Sequence, residues 1–559
     1  MREGSGQSGC RVVSPCWIRA FVLGEVPLAI ALWRPREAAT RQELALLKRV
    51  GRTRRLFAFL RTYRMLIFDD AFQAELEGMY RQTGAGLPPV PPAQMAMAMI
   101  LQGYLGVSDA EAVELTVVDL RWQMVLDRLG SDEPAFSQGA LFDYRERLIR
   151  TNMDRRLLER TIEVARETRA FDWKKLPKEL RVAVDSSPLV GAGRVEDTIN
   201  LLAHAGRKIV GCAAELLGWP AEKVAKQAGI PVLLGSSVKK ALDVEWSDGK
   251  AKAEALSRLV EQLDSLEGWL RRRLGEELKA PPLSEHLATL EQIRGQDLEP
   301  DPSGGGKMRI REGVAEDRRI SIEDAEMRHG RKTKTKRFNG YKRHIATNLD
   351  TNLILACAVT PANRPEGEAL PDLKADIESS QQVIREIHVD RGYIASTAVA
   401  EVLAAGGDVV CKPWVSRNGE LFPKSDFKVN LRDMTIACPA GDIQSIRPGS
   451  VVEFDAEACD GCSLRVQCTT AAPGTGRTIS IAEDEVLQQR LRRRMKTGRG
   501  RERLRERVAI EHSLAHISQR QGNHARYRGA RKNQYDLRRA ATIQNLERIQ
   551  RRIDERKAA

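Results

Sequence analysis

Three carboxylates in this chain stand where an isolated acid is costly. Asp185 follows the apolar run Val182-Ala183-Val184, and Asp390 follows Ile387-His388-Val389. Glu511 falls inside the apolar arc of a long basic helix. Removing such a group from water disfavours its charged form unless a partner compensates. Two aspartates at strand ends and a glutamate on a helix suit a pair of divalent cations. The chemistry that such a pair supports is in-line displacement at a phosphodiester, in which two Mg²⁺ ions roughly 3.5–4 Å apart stabilise the attacking and departing oxygens. Hard cations of this kind take carboxylate ligands and keep positions for water and substrate phosphate. A short aspartate must be placed by a rigid strand, whereas a glutamate can reach in from a helix.

Helical spacing puts Leu504, Val508, Glu511 and Ala515 on one face, which Ile510, Leu514 and Ile517 widen. Arg507, one turn earlier, is placed to orient Glu511 by an i,i+4 pair. Taken singly, each acid has a plainer explanation. Glu511 suits a surface ion pair, Asp185 a turn before Ser186-Ser187-Pro188, and Asp390 a turn before Gly392. It is the order strand, strand, late helix that carries weight.

The positioning elements read as a mixed α/β core. Strands are expected at Leu180–Val184, Tyr341–Asn348, Leu353–Thr360, Glu386–Asp390 and Asp408–Lys412, with a hairpin turn at Leu349–Asn352 and a helix over Ser396–Ala405. Residues 38–170 carry helical spacing, with a capping box at Ser108-Asp109-Ala110-Glu111, and form an all-helical N-terminal domain. Residues 1–37 show little periodicity and read as a disordered lead-in. The catalytic region, 176–559, is interrupted twice. Residues 195–325 are partly helical and end in the linker Pro300–Gly306, and residues 416–485 are rich in cysteine.

With 90 Lys+Arg against 76 Asp+Glu the chain carries a formal charge of +14. Residues 490–559 alone hold 22 basic and 7 acidic side chains, so the excess is localised there. A basic tract on a folded segment suits a polyanion, nucleic acid being the commonest. Arg328–Arg343 is a second basic stretch, interleaved with Phe338 and Tyr341, in which Arg331, Lys332, Lys336 and Lys342 are candidate phosphate contacts. Arg526, Arg528, Arg531 and Lys532 form a third. A solvated face is the alternative reading of such runs. Trp414 is expected to pack at a strand edge, with stacking on an unpaired base as the alternative, and His388 to lie in the core. No stretch approaches the roughly 20 apolar residues of a membrane span, and Phe21–Trp33 makes a poor signal peptide. A bacterial-type cytoplasmic location follows by default.

In that compartment cysteines stay reduced. Cys438-x20-Cys459-x2-Cys462-x5-Cys468 is then a candidate structural Zn²⁺ site, since four thiolates close a tetrahedron. Thiols packed as small hydrophobes are the alternative.

The motifs Val184-Asp185-Ser186-Ser187, His388-Val389-Asp390-Arg391-Gly392-Tyr393 and Arg507-Val508-Ala509-Ile510-Glu511 together resemble those of the DDE transposases of bacterial insertion sequences. The block Arg328–Lys342 and the ending Arg526–Leu546 are similar to further segments of that family, as is the helical N-terminal region. Leu504 and Ser518 depart from its signature, which often has Tyr and Lys there, with Arg520 a substitute for the lysine. The resemblance implies an RNase H-like core in which Asp185, Asp390 and Glu511 bind two Mg²⁺ (or Mn²⁺) and cut and join DNA. It also implies contacts to DNA by Arg507, Arg520, Arg526 and Arg528, recognition of terminal inverted repeats by the N-terminal helices, and a homodimer bridging two ends on target DNA. The cysteine cluster matches one carried by related transposases. A nuclease without strand transfer and a non-catalytic DNA-binding descendant are the alternatives.

Overall fold

The computed structural model describes residues 30–80, 88–302, 307–333 and 335–558. Its centre is a mixed sheet of six strands: β1 (Leu180–Val190), β2 (Arg328–Arg331), β3 (Arg337–Asn348), β4 (Ile354–Pro361), β5 (Ile384–His388) and β6 (Asp408–Val410). β3 runs antiparallel to β1, β4 and β2, whereas β5 is parallel to both β1 and β6. The order β4-β3-β1-β5-β6, three antiparallel strands continued by two parallel ones, is that of an RNase H-like sheet. β2 pairs with the opening residues of β3, on the edge that β4 takes farther along. The β3–β4 hairpin turns through Asn352, held at φ +57°, a conformation that asparagine tolerates better than most residues.

Alternation along β1 assigns its two faces. Val182 and Val184 join a core with Leu370, Leu373, Val399 and Val402, from the helices Leu370–Glu378 and Thr397–Ala404. Ala183 and Leu189 face the opposite way, onto Ile510, Leu514 and Ile517 of the helix Val508–Gln521 and Leu537 of the terminal helix Ala530–Ala558.

Among the described residues, eight helices lie between Arg41 and Glu167. The Ser108/Glu111 capping box forms as the sequence indicates. These helices share a core with the sheet rather than standing apart, and the terminal helix contributes Ile543, Leu546 and Ile549 to it. Of the expected lead-in, residues 1–29 lie outside the described residues. At its end Trp33 is buried against Phe68, and its backbone N–H and C=O both bond the Gln73 amide. Order therefore begins before residue 38.

The first interruption, between β1 and β2, has its own apolar core, built from Thr198–Leu217, Gly249–Leu274 and Leu283–Asp297. At its end Leu298–Pro300 pairs with Met308–Ile310 in a small ribbon, and residues 303–306 of the expected linker lie outside the described residues. The second interruption holds short two- and three-stranded sheets around Phe427, Ile436 and Phe454.

Candidate active site

Strand register brings the two aspartates together. Ala183 of β1 stands opposite His388 of the parallel β5, so Asp185 and Asp390, each two residues on, continue along adjacent tracks about 4.8 Å apart. Asp185 does not end its strand. β1 runs on to Val190, with Asp185 paired to Ile345 of β3. β5 stops at His388, and Asp390 caps the short turn Arg391–Tyr393 by accepting from the Gly392 N–H at 2.8 Å. Past that point β1 has lost its neighbour, which opens the sheet beside Asp185.

Glu511 sits in the first turn of Val508–Gln521, the helix that covers the Ala183 and Asp185 face. The long basic helix expected here is broken at Arg507 into Gly498–Glu506 and Val508–Gln521. Glu511 is exposed and does not lie in the apolar arc, which is made by Ile510, Leu514 and Ile517. The break rotates it away from those residues and into a cavity of about 600 Å³ shared with Asp390, Arg391, Lys412 and Arg507.

Arg507 does something other than orient Glu511. Its guanidinium stands 2.9 Å from Asp185 and 3.9 Å from Asp390, a positive charge lodged between the two aspartates. Burial pushes the Asp185 carboxyl up, Arg507 opposes this, and Asp390 adds to the rise. Two crowded carboxylates that one guanidinium only partly offsets form a donor set of hard oxygens suited to a divalent cation. Arg501 and Arg505 also line the cavity. They and Lys412 were missed from the sequence, although Arg501 and Arg505 sit four apart on the basic helix.

Among the described residues, the group whose ligand atoms all lie within 4.8 Å of one another is a different one, Glu386, His388 and Glu506. Its acids are already partnered, Glu386 by His388, Arg181 and Arg503, and Glu506 by Arg181. This cluster is better explained as an ion-paired clamp. The helix Gly498–Glu506 buries no side chain and is tied to β5 and β6 through Arg503, which bonds Glu386 at 2.6 Å and Asp408 at 2.8 Å. Burial works to raise the Glu386 carboxyl, but His388 and Arg503 outweigh it and hold it at about 2. A depressed carboxyl stabilises the fold above its unfolded value, near 4.5, and that contribution disappears as pH falls toward 2. Between pH 6 and 3 the wild type should lose about 2 kcal/mol more than Glu386→Gln, measured by denaturant unfolding at each pH; parallel curves would refute the clamp.

The basic candidates divide into free and engaged groups. Arg331, Lys332 and Lys336 are exposed around the β2–β3 hairpin, and Arg526 is exposed but donates to the Arg520 carbonyl at 3.4 Å. Lys342 is turned onto the Arg364 carbonyl, Arg520 pairs with Glu547 at 2.6 Å, and Arg528 pairs with Glu323. Arg531 and Lys532 are structural, bound to Asp154 and Glu146 of the N-terminal helices. Arg343, within the second basic stretch, is 1% exposed and bonds Ser187, Gln521, Ser518 and the Gly522 carbonyl. It ties β3 to β1 and to the end of the Glu511 helix, and it occupies Ser518, the residue standing where the family often has lysine. Arg520 and Arg526 line a separate cavity of about 670 Å³ with Tyr104, His512, His516 and Arg548. Trp414 is not packed at a strand edge. It is 49% exposed, two residues after Lys412 of the acidic cavity. His388 is fully buried, as expected.

Cys438, Cys459, Cys462 and Cys468 line one small cavity of about 50 Å³. Backbone N–H groups fold around them, Leu464 N–H donating to the Cys462 sulfur at 3.4 Å. Burial raises the Cys468 thiol, and the other three thiols raise it further once Arg477 is allowed for.

A family model described as Transposase DDE domain matches residues 434–550, and one described as Transposase domain (DUF772) matches residues 49–147. The first takes in Glu511 and neither aspartate; the second covers most of the N-terminal helices. No curated protein and no solved structure matches the chain. Among the described residues no helix is long and apolar enough to cross a membrane. Matched at the helical front and again across the stretch that carries the glutamate, on a sheet whose adjacent strands β1 and β5 lead to the two aspartates, the chain belongs to the DDE transposases of insertion sequences.

Proposed function

We propose that the protein cuts DNA at the ends of its element and joins the freed ends to target DNA, with Asp185, Asp390 and Glu511 as the catalytic acids. The observation that carries this reading is the convergence on one open cavity of Asp390, Glu511 and a rim of cations, with Asp185 held beside it by Arg507. The three acids would hold two Mg²⁺, or Mn²⁺, which when bound supply charge stabilisation at the attacking and departing oxygens of a phosphodiester. Arg391, Lys412, Arg501 and Arg505 favour entry of a phosphate anion and fix its orientation. Arg507, relieved of the aspartates once they have another positive partner, is free to turn to that phosphate. Cutting by water and joining by a 3′-hydroxyl are the same displacement with different nucleophiles, so one site serves both.

Double-stranded DNA is proposed to run from this cavity along Arg331, Lys332 and Lys336 on one side, and toward Arg520 and Arg526 on the other. Such contacts position a duplex without reading its sequence. Recognition of the terminal repeats falls to the N-terminal helices, and a homodimer would hold two ends together. Trp414, exposed next to the acidic cavity, is placed to stack on a base there. Incubating the chain with DNA carrying the element's flanking repeats, in Mg²⁺ or EDTA, and mapping strand ends tests this. Joined products that require metal support transposition, cut ends alone would reduce the activity to a nuclease, and intact DNA would remove it.

The four thiols are proposed to bind one structural Zn²⁺, which would favour their thiolate forms and tie the segment of two short helices that carries three of them to the lobe's small apolar core. Purified without chelator, the protein should carry about one zinc per chain by elemental analysis. Cys459→Ser should lose it and expose the lobe to protease. Full protease resistance of that variant, or a metal-free wild type, would exclude the site.

A further inference from the structure

We infer that Glu366 is a fourth carboxylate of the cation site, standing beside Asp185 and Asp390 and sharing the divalent cations they hold. The inference rests on the reading of those aspartates and Glu511 as the metal-binding acids. Glu366 follows β4 and opens the turn into the helix Leu370–Glu378, so it reaches the aspartates from the face of the sheet opposite Glu511. Because β5 has ended by then, no strand separates the two faces beside Ser186.

Two residues each join Glu366 to one aspartate. Ser186 donates its hydroxyl to Glu366 Oε1 at 2.6 Å and its backbone N–H to Asp185 Oδ1 at 2.8 Å. Gly392 donates its N–H to Asp390 Oδ1, and a Cβ placed on this glycine would lie 2.2 Å from Glu366 Oε2 and 3.1 Å from Asp390 Oδ1. Those two oxygens therefore lie no farther apart than the sum of these distances. The absence of a side chain at Gly392 is what lets Glu366 come so close. The buried Tyr393 phenol, whose ionisation is pushed well up by burial, also feels Glu366, Asp185 and Asp390 together.

What Glu366 lacks is a positive partner. Arg507 serves Asp185 and Asp390, whereas the hydrogen-bonding partner of Glu366 among the described residues is the neutral Ser186 hydroxyl. Three carboxylates thus stand together around Ser186 and Gly392 with one guanidinium, Arg507, among them. A divalent cation between Glu366 and the aspartates supplies the missing positive charge, and its oxygen ligands then come from both faces of the sheet.

The test is Mn²⁺ binding to the full chain without DNA, followed by electron paramagnetic resonance, because Mn²⁺ prefers carboxylate to thiolate ligands. Glu366→Gln keeps an acceptor for Ser186 and should weaken Mn²⁺ binding about tenfold or more, while its melting in EDTA stays level or rises. Gly392→Ala, which displaces Glu366 and leaves every carboxylate in the chain, should weaken binding in the same direction and decides the matter if Glu366→Gln does not fold. If both variants are folded and bind Mn²⁺ as the wild type does while Asp390→Asn loses it, Glu366 has only a structural role and the inference falls. If Asp390→Asn also binds like the wild type, the acidic triad itself fails as the cation site, and Glu366 with it.

Discussion

Asp185→Asn should abolish DNA cutting while leaving the protein folded and able to bind DNA. The substitution keeps the size of the side chain, its place opposite Ile345 and an oxygen for the Ser186 N–H. It removes one of two carboxylates that share the Arg507 guanidinium. Loss of a preorganised charge at a reacting phosphate costs on the order of 10²–10³ in rate, and loss of a metal ligand costs at least that. Asp390→Asn and Glu511→Gln should fall to the same floor, and double variants should be no worse than single ones, since the acids act as a unit. Strand cleavage read on a sequencing gel, beside a mobility-shift measurement of binding, separates the two effects. Full cleavage by Asp185→Asn would remove that residue from the chemistry. Loss of cleavage together with loss of binding and of the melting transition would mark it as structural instead.

The two aspartates stand out in the sequence because each follows an apolar run. Val182-Ala183-Val184 and Ile387-His388-Val389 read as strands, and the acid after each had no apolar reason to be there. That signal gives neither register nor strand ends. Asp185 lies in the middle of β1 because antiparallel pairing with β3 carries the strand five residues beyond it, and Ser186 to Val190 show little apolar alternation. Glu511 was placed on the right helix but the wrong side of it. A 3.6-residue period holds within one continuous helix, and the helix breaks at Arg507, so an arc drawn across the break assigns faces wrongly.

Arg507 was assigned to the nearest acid in sequence, whereas its partner is 322 positions away on another element. Long-range ion pairs leave no periodic mark. The same reason hid the engagement of Arg531, Lys532 and Arg343, which composition alone groups with surface cations such as Lys332. Glu366 gave no signal at all. It lies in an acidic loop, Pro365-Glu366-Gly367-Glu368, that reads as solvent-exposed, and only the folding of Ser186 and Gly392 around it sets it apart from Glu368.

The second large effect is on stability, at the seam between the N-terminal helices and the terminal helix. Asp154 is 3% exposed and bonds both Arg531, at 2.9 Å, and Arg538, at 3.3 Å. Arg538, itself buried, also holds Asn152 at 2.6 Å and Asp376 at 2.9 Å, so one guanidinium joins the N-terminal helices to the helix that flanks the sheet. Asp154→Ala leaves a buried cation short of one of its two acids, and breaking a buried pair in this way costs about 3–5 kcal/mol. Unfolding in urea should shift to lower concentration by that amount, and limited proteolysis should cut near residues 168–179, where the chain passes from the helices to β1. A combined Asp154→Leu, Arg538→Met variant, which removes both charges and fills the space, should recover much of the loss, because the penalty comes from the orphaned charge and not from the missing attraction. If Asp154→Ala unfolds like the wild type, the seam is held by its apolar contacts alone, and the N-terminal helices are free to swing on DNA without breaking an ion pair.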